Sequence, residues 1–524
     1  MRILTFVAAM SAGLWAVGAQ AQMACEDLAD LATGDVTFTA ATISDGTVTP
    51  PGGDAITGLP PMCRVSMAVP EAINIELWLP LEGWNGRFRG VGGGGYSGAP
   101  SWGALAAVVR DGYAVASTDT GHMGHGGDGS FAFTDDGTLD WSLIEDFASR
   151  SLFETSRLGQ EVTEAFYGRA PDYTYWSGCS TGGRQGLIQV QRTPYAYDGV
   201  LSGAPAIHWN QFIAAELWPQ IVMREDAGGP LPACKFDLAN AAAVAACDEL
   251  DGAVDGLLQD PRECGFDPAS LVCAEGAEPD CGCLTEGEAS AISRIWAGAE
   301  GTDGRVIWPG LTPGTSHAVL ANEGPFPIAV SQFQWVQADP QADWTTLTSE
   351  SFEAYFQRSY AMFNDMIGTT DPDISEFADA GGHLILWHGW TDQFIFPEAT
   401  INYYDQVVGA LGDTADETVR LYMVPGVDHC RGGVGPSGFG HRDDDASGSV
   451  ALQQDAQHDI FEALVAWVER NEEPGTLTGV RWTENDPTRG VALTHPICVW
   501  PQQAVYDGNG AINEASSYMC DVVD

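Results

Sequence analysis

The sequence predicts an α/β fold whose core is interrupted by one large insertion. Three observations carry that expectation. β-prone runs alternate with helix-period segments toward both ends of the chain. One of those runs passes through a tight glycine turn straight into a helix. The middle, residues 207–380, loses the alternation and is rich in Pro, Gly and Trp.

The first core strand is Arg87-Phe88-Arg89-Gly90-Val91, which ends in the flexible run Gly92-Gly93-Gly94-Gly95. A second, residues 112–117, ends at Thr118-Asp119-Thr120-Gly121-His122. Residues 143–167 read as a helix, with Phe147, Leu152, Leu158 and Val162 spaced for one buried face. A third strand, residues 173–177, meets Gly178-Cys179-Ser180-Thr181-Gly182-Gly183-Arg184 and a helix over 185–191. The insertion over 207–380 then reads as a lid. Strands resume at 383–387 and 419–424, followed by a long helix over about 451–469 and a cysteine-bearing tail.

Composition narrows the function. With 44% hydrophobic residues the 524-residue chain has ample material for a buried core, which argues against disorder. The length allows roughly two or three domains. Acidic residues outnumber basic ones 72 to 22, a formal charge of −50. Such a surface repels the phosphates of nucleic acids and of anionic membranes, so neither is expected as a partner. Lys235 is the single lysine. The acidic excess fits salt adaptation, or equally an exported protein kept soluble by its charge.

The N-terminus reads as an export signal. Met1-Arg2 supplies a positive end, residues 3–17 are mostly apolar, and Ala19-Gln20-Ala21 is an A-x-A site with cleavage expected after Ala21. The apolar run is short for a membrane anchor, which needs about 20 residues. A lipid anchor at Cys25 lacks the usual upstream leucine. A secreted or periplasmic protein without membrane anchor is expected. Twelve cysteines, an even number, then read as disulfides. Cys281-Gly282-Cys283 lacks a second pair at zinc-site spacing.

Gly178-Cys179-Ser180-Thr181-Gly182 matches G-x-S-x-G, the nucleophile elbow, in its required strand–turn–helix setting. The turn would project Ser180 beyond the strand end, with the Thr181 N–H aimed at a developing oxyanion. A serine needs a base held by an acid, and in α/β-hydrolases these follow in the order Asp, then His, each after a strand. Asp392 follows the strand ending at Trp387, and His429 the strand ending at Val424. Their bland alternatives are a turn aspartate and a surface histidine, which two correctly ordered placements disfavour. A second oxyanion donor is expected from Gly94 or Gly95. His388 is an orienting residue at most, Asp428 is too close to His429 in sequence to face it, and His122 and His125 read as structural. Cys179 precedes the expected nucleophile and Cys430 follows the expected base, so contact between Ser180 and His429 would bring the cysteines within bridging reach.

This Cys-Ser…Asp…His-Cys arrangement resembles the tannase and feruloyl esterase family, which includes the hydrolase of mono(2-hydroxyethyl) terephthalate. The resemblance extends over nearly the whole chain after residue 21. It also takes in Trp84-Asn85-Gly86-Arg87-Phe88, the glycine run, Ser117-Thr118-Asp119 with Gly121-His122, His388-Gly389 and Pro425-Gly426. It implies an α/β-hydrolase core with a large inserted lid domain: residues 22–206 and 381–524 as the two parts of the core, and 207–380 as lid. It implies a structural Ca²⁺ in the lid, for which residues 247–257 offer Asp248, Asp251 and Asp255 with the carbonyls of Ala253 and Leu257. No organic cofactor is implied. The implied disulfides are Cys25–Cys63, Cys179–Cys430, Cys247–Cys264 and Cys498–Cys520, with Cys273 joined to Cys281 or Cys283 and Cys234 to the other.

The expected activity is that of a serine esterase acting on small aromatic esters (feruloyl or hydroxycinnamoyl, galloyl, or terephthalate half-esters). A peptidase with the same triad, or a calcium-stabilised protein binding aromatic esters without turnover, are the alternatives. A terephthalate carboxylate would need a cation, for which Arg224, Arg294, Arg305 and Arg358 stand in the lid. Trp335 and Phe333 serve either the pocket or the core. Oligomeric state is left open.

Overall fold

The computed structural model describes residues 22–523 apart from 33, 279, 318, 322 and 442–446. The expected signal peptide, residues 1–21, lies outside them. Among the described residues the central sheet has nine strands: β1 (Thr37–Ile43), β2 (Met62–Val69), β3 (Ile73–Pro80), β4 (Arg87–Val91), β5 (Ala114–Thr118), β6 (Tyr173–Cys179), β7 (Gly199–Gly203), β8 (His383–Gly389) and β9 (Val419–Val424). Their order is β1-β2-β3-β5-β4-β6-β7-β8-β9. The β1 to β3 strands and the β3–β5 pair are antiparallel, and from β5 onward every neighbour is parallel.

That layout explains the sequence pattern. Parallel strands are covered on both faces, so β5, β7 and β9 are buried at every residue and show no alternation. The edge strand β1, exposed or half-buried throughout, shows no apolar run either. Helices α1 (Ser151–Tyr167) and α2 (Thr181–Arg192) cover the sheet. Phe147, Leu152, Leu158 and Val162 are all buried, as their spacing predicts.

Between β7 and β8 the chain adds no strand to the central sheet. It forms helices instead, among them α3 (Trp209–Ala215) and α4 (Ser349–Ile367), with a short antiparallel pair at Ala299–Glu300 and Val306–Trp308. Its apolar interior includes Trp209, Phe212, Trp335, Phe352 and Tyr355, and is continuous with Tyr96 and Phe147 from the loops and helices flanking the sheet. Phe333 and Trp335 belong to this interior. The insertion therefore packs as a roof on the core.

One expected element is shorter than its pattern. The helix anticipated over 451–469 runs Ile460–Arg470, as α5. Asp459 stops it from extending backward: its Oδ1 accepts from the N–H groups of Phe461 at 2.9 Å and Glu462 at 3.1 Å, which fixes the helix start.

All twelve cysteines pair. Cys25–Cys63, Cys179–Cys430, Cys247–Cys264 and Cys498–Cys520 are present, and the open choice resolves to Cys273–Cys283 and Cys234–Cys281. Six disulfides agree with an oxidising, extracellular-type compartment. Among the described residues no helix is long and apolar enough to cross a membrane.

Candidate active site

The site is assembled at the C-terminal ends of the parallel strands, where open α/β sheets place their ligands. At the β6–α2 turn Ser180 has φ +66° and ψ −125°, a conformation that side-chain-bearing residues rarely adopt. The turn is held from both sides: the Ser180 N–H donates to the Gly203 carbonyl at 2.9 Å, and the Ser180 carbonyl accepts from Ala206 at 3.1 Å. A Cβ at Gly178 would lie 2.6 Å from the Gly182 backbone, so only glycine fits this crossing.

The glycine run after β4 lies beside the serine. Gly95, at φ +55°, has room for no side chain, since a Cβ there would lie 2.2 Å from the Gly126 carbonyl. The Thr181 hydroxyl donates to the Gly95 carbonyl at 2.6 Å, which ties the glycine loop to the elbow. The backbone N–H groups of Gly94, Gly95 and Thr181 donate to no described residue, whereas that of Gly93 is taken by Gln185 Oε1 at 2.9 Å. These three unclaimed amides border the cavity that holds Ser180.

Asp392 and His429 come together across the loops after β8 and β9. His429 Nδ1 is 2.7 Å from Asp392 Oδ2. Asp392 is fully buried, and its Oδ1 accepts from Phe394 at 2.8 Å and Ile395 at 2.9 Å. Burial alone would raise its pKa, but the charge and hydrogen bonds of His429 and His388 outweigh it and hold the carboxyl well below the usual carboxylate range. The His429 backbone N–H donates to Gln393 Oε1 at 3.0 Å. Ser180 and His429 line the same cavity, and the Cys179–Cys430 disulfide, with Cα atoms 5.9 Å apart, joins their immediate neighbours.

The other candidates are engaged elsewhere. Asp428 accepts from the Thr391 hydroxyl at 2.8 Å. His122 is buried and stacks on Phe131 at 3.7 Å, and His125 Nδ1 accepts from the Gly127 N–H. His388 reaches Asp392, as discussed below.

The cavity, about 740 Å³, is walled by Trp209, Phe212, Ile213, Phe326, Ile328 and Phe394. Trp209, Phe212, Ile213 and Glu216 lie at i, i+3, i+4 and i+7 along α3 and its C-cap. That spacing was legible in the sequence, but nothing there showed that the face borders the serine. None of Arg224, Arg294, Arg305 and Arg358 lines the cavity. Arg294 pairs with Asp226 at 2.9 Å, Arg305 with Asp303, and Arg224 donates to the Leu347 carbonyl.

The acidic loop over 248–257 carries three aspartates that hold their own backbone. Asp248 Oδ1 accepts from Gly256 at 2.8 Å, Asp251 Oδ1 from Ala253 at 2.9 Å, and Asp255 Oδ1 from Leu257 at 3.0 Å. Asp251 Oδ2 is buried without a partner, and Tyr518 donates to Asp255 Oδ2 at 2.8 Å. Burial, with Asp255 nearby, pushes the Asp251 carboxyl up to about 6, the sign of a carboxylate short of positive charge. Among the described residues no three His, Cys, Asp or Glu side chains converge as a metal cluster. A hard cation at this loop would have to be held by a mixed set, with Asp251 and neighbouring carboxylates supplemented by backbone carbonyls such as those of Ala253 and Leu257.

A mixed sheet of this order, with serine on the turn after β6, carboxylate after β8 and histidine after β9, defines an α/β-hydrolase. Residues 61–521 match the family described as tannase and feruloyl esterase, and the chain belongs to that family. It is a carboxylic ester hydrolase of that type, which sets aside a peptidase or a binding protein without turnover. A probable feruloyl esterase of Arthroderma benhamiae is 34% identical over 87% of this chain and 83% of its own length. An uncharacterized esterase of Xanthomonas campestris pv. campestris is also 34% identical, over 96% and 92%. The crystal structure of feruloyl esterase B from Aspergillus oryzae superposes with a TM-score of 0.85 at 25% identity, covering 95% of this chain and 99% of that one.

Proposed function

We propose that this protein is an exported serine esterase that hydrolyses esters of aromatic carboxylic acids through an acyl-enzyme on Ser180. The observation that carries the reading is the 2.7 Å contact between His429 Nδ1 and Asp392 Oδ2 beside the cavity that holds Ser180. With Nδ1–H donated to Asp392, His429 Nε2 is left as the base. It takes the Ser180 proton as Oγ attacks the ester carbonyl, and returns it to the leaving alcohol. Water then attacks the acyl carbonyl while His429 takes its proton, the acyl–Oγ bond breaks to release the acid, and His429 returns the proton to Ser180 Oγ. The unclaimed amides of Thr181 and of Gly94 or Gly95 stabilise the oxyanion in both steps.

Several observations support an aromatic acyl group. The walls offer Trp209, Phe212, Phe326 and Phe394 to a flat ring. A named relative and a structural neighbour are feruloyl esterases. A hydroxycinnamoyl or galloyl group needs partners for its ring hydroxyls, and a terephthalate half-ester a cation, for which Arg431 lines the cavity while the four lid arginines do not. The acidic loop around Asp251 holds a structural Ca²⁺ in this reading, and an export signal ending at Ala21 fits the six disulfides.

The test is turnover of methyl ferulate, methyl p-coumarate, methyl gallate and mono(2-hydroxyethyl) terephthalate by the wild type and Ser180→Ala. At least one aromatic ester should be hydrolysed, with kcat/KM lowered by several orders of magnitude, on the order of 10⁴ to 10⁶, in Ser180→Ala. Undiminished turnover in that variant would refute the mechanism.

A further inference from the structure

Glu216 is a buried acid in the wall of the reaction cavity with nothing bound to it. It caps α3, is 1% exposed, and lines the cavity one turn beyond Phe212 and Ile213. Its carboxyl makes no hydrogen bond to any described residue, and Oε2 is enclosed without a partner. Among the described residues no cation pairs with it. The Asp392 charge acts on it, and it acts in turn on the buried phenols of Tyr355 and Tyr96. Tyr355 Oη is likewise buried and unpartnered.

A buried polar group without a partner is costly, more so if charged, so its place in an apolar wall calls for a ligand that satisfies it. Burial, with the Asp392 charge adding to it, pushes this carboxyl well above the usual carboxylate range. A neutral acid offers one donor and one acceptor, the complement of a phenolic hydroxyl or of a hydroxyl beside a methoxyl oxygen. A ring carrying a carboxylate would instead place a second acid against Glu216, and the arginine that does line the cavity, Arg431, follows Cys430 on the histidine loop and is exposed.

We propose that Glu216 is the residue of this cavity that selects the acyl ring: its carboxyl hydrogen-bonds a phenolic hydroxyl of the substrate and disfavours rings that bear a carboxylate. The inference rests on the aromatic-esterase reading above and adds to it the residue that reads the ring. Selectivity arises because a site built to pair a hydroxyl is left unsatisfied by an analogue lacking it.

The experiment compares kcat/KM for methyl ferulate, methyl 3,4-dimethoxycinnamate, methyl cinnamate and mono(2-hydroxyethyl) terephthalate in the wild type, Glu216→Gln and Glu216→Leu. The wild type should prefer ferulate over cinnamate by about tenfold or more, and over the terephthalate half-ester by a larger factor. Glu216→Gln, which keeps a donor and an acceptor, should retain the ferulate preference and improve the terephthalate ester relative to it. Glu216→Leu should bring the ferulate-to-cinnamate ratio to near one. These ratios are internal to each protein and survive a general loss of activity. If either variant fails to fold, the wild-type ratios still decide: equal use of ferulate and cinnamate overturns the assignment. An unchanged ferulate-to-cinnamate ratio in Glu216→Leu also overturns it while leaving the esterase reading intact. Absence of turnover on every aromatic ester, with Ser180-dependent hydrolysis of p-nitrophenyl acetate retained, rejects both.

Discussion

His388 Nε2 lies 3.0 Å from Asp392 Oδ2, the same carboxylate oxygen that His429 Nδ1 reaches at 2.7 Å. Two imidazoles therefore share one acceptor oxygen, while backbone amides hold the other. The tautomer of His388 follows from its partners: Nε2–H faces Asp392 and the Ile395 carbonyl, so Nδ1 accepts from the Thr400 hydroxyl at 2.8 Å. His388 is a positioning residue, acting on His429 through the carboxylate. Replacing it with Phe should lower kcat by about ten- to a hundredfold with KM nearly unchanged, less than the roughly 10⁴-fold expected for Asp392→Asn. His388→Gln, which can still donate, should recover part of the loss. A rise in KM without a fall in kcat would contradict this role.

The Cys179–Cys430 disulfide closes a separation of 251 residues between the two loops that carry the expected nucleophile and base. The chain-entropy argument places the stabilisation from so long a loop at about 5.5 kcal/mol as an upper value. The double Cys179→Ser, Cys430→Ser variant should therefore melt several degrees lower and lose kcat more than it raises KM, because the Ser180–His429 approach is loosened. Calorimetry and steady-state kinetics on the same sample separate the two effects.

If the loop around Asp251 holds Ca²⁺, chelation should lower the melting temperature by several degrees, and added Ca²⁺ should restore it. Asp251→Asn should abolish the response to chelator. Activity well below the melting temperature should change little, since the loop does not line the cavity. A melting temperature indifferent to chelator would refute the site.

His317 is buried and stacks on Phe236, and the Trp296 indole N–H donates to its Nε2 at 3.1 Å. A protonated ring cannot accept that bond, and burial pushes its pKa down to about 3. The unfolded chain binds this proton near the ordinary value of about 6.5, so between those pH values unfolding takes up a proton. The stabilisation is complete above about pH 6.5 and falls as pH drops, by up to about 1.4 kcal/mol per pH unit. His122 and His208, pushed down to about 4 by burial, act in the same direction. Denaturation free energy measured from pH 7 to 4.5 should decline with acid, and His317→Phe should reduce the slope by close to one proton. An unchanged slope would count against it.

The elbow was legible because its constraints are local. A strand that must turn within two residues needs glycine at 178 and 182, and that demand is written in five consecutive positions. Asp392 and His429 were legible for a related reason, as each follows directly on a recognisable strand. Strand β7 was not, since five residues bounded by glycine carry no periodic signal. The start of α5 was misplaced because an apolar pattern does not register where a capping carboxylate claims the first amides. The pairing of Cys234, Cys273, Cys281 and Cys283 stayed open because neighbours two residues apart are equivalent until the backbone orients them.

The sequence by itself determined the α/β class, and it set out the insertion, the elbow serine and the acid–base order as expectations, since short-range sterics and strand order dictate them. The tertiary structure alone decided that His388 shares the Asp392 oxygen and that Thr181, Gly94 and Gly95 present unclaimed amides. It alone placed Glu216, and none of the four lid arginines, in the wall beside Ser180. Those facts depend on which surfaces meet when residues 207–380 fold over the sheet, and that is set by packing between segments far apart in the chain, to which no local pattern is sensitive.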